Sequence, residues 1–230
     1  MHYRRWPVDN HVAVVALLPG LGQHSGHYHR LARVLREIDV EMWALDTAGH
    51  GLSEGDPDKP GSLSELVADA TMLIDHLRAA LPHTPLVLMG HSLGAVTALG
   101  MLGAAVPDAT SAADLSDVEA DRPVRPSLPS GEPRGLILSG VPKRALGGGV
   151  PGALGTPLPA DLPVLAVHGM EDRRAPIDAM RVWTARHETV NLLEYADAGH
   201  DLLHEPVHAR VARDIADWLQ GVVVGLARQR

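Results

Sequence analysis

The chain contains no cysteine and no phenylalanine, and aromatic residues make up only 3% of it. Without cysteine there is no disulfide, no thiolate nucleophile and no cysteine-ligated metal, although the compartment is not decided by that absence. Without phenylalanine a core must be assembled from Leu, Val and Ala, and a hydrophobic content of 45% is enough to do so. Positive charge is also short: 20 Lys and Arg face 28 Asp and Glu, a net charge of −8. With no basic stripe to offset that balance, a nucleic-acid partner is disfavoured. Long apolar runs are missing. Val222-Val-Val224, the longest near the C-terminus, falls far short of the ~20 residues that span a bilayer. The start, Met1-His-Tyr-Arg-Arg-Trp-Pro7, has no apolar signal-peptide core. The expectation is a cytoplasmic protein with no integral membrane segment. Its 230 residues suit one large α/β domain over 1–230, of an oligomeric state the sequence does not reveal.

What is present is a regular alternation. His11–Leu18 is a continuous apolar run that stops at Pro19-Gly20, as a buried parallel strand would. Tyr28, Leu31, Ala32, Leu35 and Ile38 recur at helical spacing, and Val40–Leu45 reads as the next strand. Ser62-Leu-Ser-Glu65 is a capping box ahead of an apolar stripe from Leu63 to Leu81. Further strands are expected at Leu86–Met89, Leu136–Ser139, Val164–Val167 and Val190–Tyr195. A last helix carries Val207, Val211, Ile215, Trp218 and Leu219 on one face. Strands alternating with helices predict a mostly parallel sheet covered on both faces, with reactive groups beyond the strands' carboxyl ends. Two stretches break the rhythm. Residues 106–134 are rich in Pro, Asp, Ser and Ala without an apolar period, and read as a flexible insert, with a lid as the alternative. Residues 143–160, with Gly147-Gly-Gly149, read as a loop.

The chemistry-bearing segment is Pro85-Leu-Val-Leu-Met89 followed by Gly90-His-Ser-Leu-Gly94 and the apolar Ala95–Leu102. Strand, glycine-flanked serine and helix together form the context of a nucleophile elbow, whose sharp turn tolerates no bulk at the two flanking positions. A serine attacks only when a histidine accepts its proton and a carboxylate fixes that histidine's tautomer. In this strand order both partners should follow the serine. Asp172 lies after the strand ending at Val167, and His200 after the strand ending at Tyr195. Ser92, Asp172 and His200 are therefore the expected triad. The backbone amides of Leu93 and of Leu21, in Pro19-Gly-Leu-Gly22, are the expected anion-hole donors.

Five segments then carry a resemblance: Gly20–Tyr28, Asp46–Gly55, Gly90–Gly94, His168–Asp172 and Gly199–Pro206. In this order they resemble the α/β-hydrolase superfamily, and within it the monoacylglycerol lipase and lysophospholipase (serine aminopeptidase-like) group. The resemblance implies an α/β-hydrolase fold and a serine ester hydrolase working through an acyl-enzyme without a cofactor. It implies small-molecule substrates such as monoacylglycerols, lysophospholipids or shorter acyl esters. Four features depart from the group. The anion-hole loop begins Pro19-Gly20 where His-Gly is usual. Ala48 stands where an arginine usually anchors the following turn. Only residues 143–160 occupy the position of the helical cap, so a reduced or absent cap is expected, and the first strand of the full fold looks missing.

Other readings stand beside these. Thioester or amide hydrolysis uses the same triad, and a non-catalytic member of the fold could bind a small ligand in the same pocket. Asp197 and Glu171 compete with Asp172 for the acid role. His91 reads as a structural group or pocket wall. His200 and His204 have zinc-like spacing, but Asp201 stands where the zinc motif has Glu, Gly199 and Pro206 bracket the segment, and no third ligand is evident. His24, His27 and His29 read as surface groups, Trp43, Trp183 and Trp218 as packing, and no metal is expected.

Overall fold

The computed structural model describes residues 1–103, 133–146 and 158–227. Seven strands form one sheet: β1 (His2–Trp6), β2 (Ala13–Leu18), β3 (Val40–Asp46), β4 (Leu86–His91), β5 (Gly135–Ser139), β6 (Val164–Gly169) and β7 (Val190–Tyr195). Their order is β1-β3-β2-β4-β5-β6-β7, parallel throughout except for β1, which runs antiparallel to β3.

Among the described residues five helices cover the sheet: α1 (His29–Arg36), α2 (Leu63–Ala80), α3 (Leu93–Met101), α4 (Ile177–Thr184) and α5 (His208–Ala227). Because side chains alternate along a strand, each central strand supplies both layers. Val14, Ala16 and Leu18 of β2 pack with α2, α3 and α4, whereas Ala13, Val15 and Leu17 pack with α1 and α5. The Ser62 hydroxyl and the Glu65 carboxylate cap the start of α2 reciprocally. No described helix is long and apolar enough to cross a membrane.

Two elements escaped the sequence reading. β1 carries Arg4 and Arg5 on exposed positions, so it shows no apolar alternation. Charged side chains on an edge strand also deter edge-to-edge pairing. Helix α4 buries Ile177, Met180 and Trp183, a three-residue spacing that is legible once sought. The 143–160 stretch is not wholly loop, because Lys143–Leu146 forms a 3-10 turn that buries Ala145 and Leu146. Only residues 140–163 separate β5 from β6. The 106–134 insert lies outside the described residues except for its last two, as does 147–157 of the second stretch.

The sheet order reverses between β2 and β4. Chain connections diverge at such a point and leave a crevice at the strands' carboxyl ends. The residues following β2, β4, β6 and β7 all face this end.

Candidate active site

Ser92 sits between β4 and α3 with φ 50° and ψ −111°, a left-handed backbone conformation uncommon for a residue with a side chain. The turn is that tight because its flanks lack side chains. A Cβ on Gly90 would lie 2.3 Å from the Gly94 carbonyl oxygen, and one on Gly94 would lie 1.9 Å from that of Leu18. The second distance also shows how closely the start of α3 abuts the end of β2.

His200, on the loop after β7, points its Nε2 at Ser92 Oγ at 2.9 Å and its Nδ1 at Asp172 Oδ2 at 2.7 Å. A carboxylate accepts only, so Nδ1 carries the proton and Nε2 presents its lone pair to the serine hydroxyl. Three distant loops thus bring Ser92, Asp172 and His200 together. Asp197 and Glu171, the competing carboxylates, are exposed to solvent.

Asp172 is itself held from the other side. Its Oδ1 accepts the backbone N–H groups of Arg174 at 2.9 Å and Ala175 at 2.8 Å. Burial alone would raise its pKa. The His200 hydrogen bond and these two amides outweigh burial and keep the carboxyl below the usual range, so it stays ionised. Behind it lies fully buried His168, whose Nε2–H donates to the Ala175 carbonyl at 2.6 Å. Desolvation lowers the pKa of His168 and keeps it neutral.

The backbone N–H of Leu93, first residue of α3, and that of Leu21, in the loop after β2, meet no acceptor among the described residues. Helix N-terminal amides are unpaired by geometry and favour negative charge. The Leu21 loop is anchored despite Ala48. Gly22 donates its N–H to His50 Nε2 at 2.9 Å, and His50 Nδ1 faces the Ala48 carbonyl, which sets the tautomer. Asp46 accepts the Ser25 N–H at 2.6 Å and the Leu52 N–H at 2.9 Å. Burial again pushes the Asp46 pKa upward, and these amides bring it below normal. An open groove of about 510 Å³ beside this loop is lined by Leu21, Gly22, His24, His50 and Pro57 among others.

His91, adjacent to the serine, is buried and does not face it. Its Nε2 meets Asp201 Oδ1 at 3.1 Å and its Nδ1 meets Ser139 Oγ at 3.3 Å. The His91 hydrogen bond lowers the Asp201 carboxyl to about 2, while burial acts in the opposite sense. Glu205 accepts the N–H groups of Gly199 at 2.6 Å and Asp201 at 3.0 Å, the two residues that flank His200. Sequence reasoning assigned no site role to Gln23, His50, His168, Asp201 or Glu205. All five lie inside the motifs that carry the resemblance, but the pairings of Gln23, His50 and Asp201 bridge separate motifs, while Glu205 bonds within its own and His168 to Ala175 beyond it. Among the described residues no group of three or more His, Asp or Glu is arranged to hold a metal ion. The rings of His24, His27 and His204 meet at centroid distances of 4.0 and 5.7 Å, and His27 Nδ1 accepts the His24 N–H at 3.4 Å.

The sequence profile of the serine aminopeptidase (S33) family matches residues 9–116. The monoacylglycerol lipase of Mycolicibacterium smegmatis is 29% identical over 94% of this chain and 91% of its own length. The human monoglyceride lipase is 35% identical over a segment covering 42% of this chain and only 32% of the human protein. The crystal structure of Paleococcus ferrophilus monoacylglycerol lipase superposes with a TM-score of 0.64 at 20% identity, covering 97% of this chain and 99% of the other. With its single doubly covered sheet and strand order, the chain is an α/β-hydrolase-fold protein that resembles the monoacylglycerol lipase group.

Proposed function

We propose that this chain is a serine hydrolase that cleaves carboxylic esters through an acyl-enzyme. The observation that carries the reading is the continuous Asp172–His200–Ser92 hydrogen-bond chain, with contacts of 2.7 and 2.9 Å. In this reading His200 Nε2 takes the Ser92 proton as Oγ attacks the ester carbonyl, and Asp172 steadies the imidazolium that results. The oxyanion of the tetrahedral intermediate is received by the Leu21 and Leu93 N–H groups, each donor of this kind being worth roughly 10²–10³ in turnover. His200 then returns the proton to the departing alcohol. It next deprotonates a water that attacks the acyl-serine, releasing the acid and restoring Ser92. No step requires a cofactor. Similarity to monoacylglycerol lipases supports a monoacylglycerol substrate, and the short connection between β5 and β6 supports shorter acyl esters as well.

A fluorophosphonate probe at neutral pH tests the reading. Wild type should be labelled and Ser92→Ala should not. Unlabelled wild type would favour a ligand-binding protein on the same fold, and labelling of Ser92→Ala would move the nucleophile elsewhere. A panel of esters from acetate to palmitate, with matched thioesters and amides, then assigns the substrate class.

A further inference from the structure

We infer that Asp201 is a positioning residue that couples the loop bearing His200 to the loop bearing Leu21, holding proton acceptor and anion-binding amide as one unit. This rests on the serine-hydrolase reading and adds to it a residue outside the triad.

A single oxygen, Asp201 Oδ1, accepts from the Leu21 loop and from the end of β4 at once: from Gln23 Nε2–H at 2.8 Å and from His91 Nε2–H at 3.1 Å. Gln23 is 9% exposed, and its own N–H closes the turn around Leu21 by bonding the Gly20 carbonyl at 3.0 Å. The hydroxyl of buried Tyr28 donates to Gln23 Oε1, which orients the amide so that its NH₂ faces Asp201. On the His200 side, the Asp201 N–H is tied to Glu205 Oε1 and the Gly199 N–H to Glu205 Oε2, so the backbone on both sides of His200 is restrained. The elbow joins through His91. That ring lies tilted against His200, with centroids 5.0 Å apart, and reaches Ser139, whose carbonyl accepts the Ser92 N–H at 2.9 Å.

The two donors that Asp201 satisfies are buried, while its own side chain is 37% exposed. When the carboxylate is lost, water entering the space it vacates can meet these donors but cannot tie the Leu21 loop to the His200 loop. Removing the carboxylate cuts the side-chain link between the Leu21 loop and the His200 loop and strips two buried donors, one on the Leu21 loop and one at the end of β4, of their fixed acceptor. A charge-only role is a separate matter. Asp201→Asn keeps an acceptor oxygen for Gln23 and His91 and removes the charge, whereas Asp201→Ala removes both.

The experiment compares wild type, Asp201→Ala and Asp201→Asn in the full chain by amide hydrogen exchange and by turnover of p-nitrophenyl butyrate. For Asp201→Ala, exchange should quicken in residues 19–24 as well as 197–205. Its kcat should fall by at least ~10-fold with KM within ~2-fold of wild type, the signature of misplaced catalytic groups. Asp201→Asn should restore both readouts to within ~3-fold of wild type. Gln23→Ala cuts the same link from the opposite loop and should quicken exchange in 197–205, which keeps the test decisive should Asp201→Ala fold poorly. Exchange confined to the mutated loop, unchanged kcat in Asp201→Ala, or Asn as defective as Ala would each overturn the proposal. The exchange arm judges loop coupling without reference to activity, so a wild type that hydrolyses no ester would sink the serine-hydrolase reading separately.

Discussion

Helix α3 contains two glycines, Gly94 and Gly100, whose replacement by alanine should have very unequal consequences. As helical residues both gain about 1 kcal/mol of propensity on Gly→Ala. Their surroundings differ. A Cβ at Gly94 would stand 1.9 Å from the Leu18 oxygen, 2.4 Å from its carbon and 2.7 Å from the Pro19 oxygen, all backbone atoms at the end of the central strand β2. Non-bonded carbon and oxygen need more than 3 Å, so over an ångström of backbone displacement is required at the junction of sheet, elbow and anion-hole loop. At Gly100 the nearest atom would be Val67 Cγ2 at 3.0 Å, a side-chain methyl that can give by a few tenths of an ångström. Overpacking a core costs about 1–3 kcal/mol and more where the backbone must move. Gly94→Ala should therefore destabilise by about 2–3 kcal/mol net, or roughly 4–12 °C in Tm for a domain of this size. Gly100→Ala should stay within about 1 kcal/mol of wild type. Urea denaturation followed by circular dichroism measures both. If Gly94→Ala proves as stable as wild type, or if Gly100→Ala loses as much, the close approach of α3 to β2 is not what the elbow requires.

Asp172→Asn should cut turnover by ~10³–10⁴-fold, because an amide in place of the carboxylate favours the wrong His200 tautomer, while Asp197→Asn should stay within ~2-fold. Comparable losses in the two variants would reassign the acid. Acid stability should follow the buried carboxylates. Burial pushes Glu41 upward, yet its bonds to Arg5 at 2.6 Å, Trp43 Nε1 at 2.6 Å and the Val8 N–H at 3.2 Å bring its pKa below normal, as happens for Asp46, Asp172 and Asp201. A folded-state value below the unfolded one stabilises at pH above the unfolded pKa, near 4, and the gain disappears as pH falls through the folded value. Tm should ease down from pH 7 to 5, where the unfolded chain protonates histidines such as His168 that burial keeps neutral in the fold, and drop steeply from pH 5 toward 2; a flat profile over the acid range would refute these signs. Glu41→Gln puts an NH₂ against the Val8 N–H and Arg5, and should cost about 1–3 kcal/mol at pH 7 while shallowing the acid limb. An equal loss of Tm at pH 7 and pH 3 would contradict that assignment.

The elbow owes its conformation to contacts that no single motif contains. Gly94 must be small because of Leu18, and the Leu21 loop is held by His50 and Asp46 from the turn after β3. With Ala48 in that turn, the loop is still anchored by these bonds. Asp46 accepts two amides and meets His2 Nδ1 at 2.8 Å, so the edge strand β1 contributes to the same corner. That contribution was invisible in a segment read only as lacking a signal peptide.

Local patterning determined most of the architecture. Apolar runs ending at Pro or Gly marked the central strands, the Ser62–Glu65 box marked the start of α2, and the order serine, acid, histidine put one chemical group after each of three strands. These are properties of contiguous segments, where periodicity and backbone preference act over a few residues. Which carboxylate meets His200, which oxygen receives Gln23 and His91, and how near α3 lies to β2 were decided only by the tertiary structure. Such pairings join residues up to 178 positions apart, as Gln23 and Asp201 are. Their partners are selected by where the sheet's carboxyl edge delivers each loop, and no spacing along the chain encodes that.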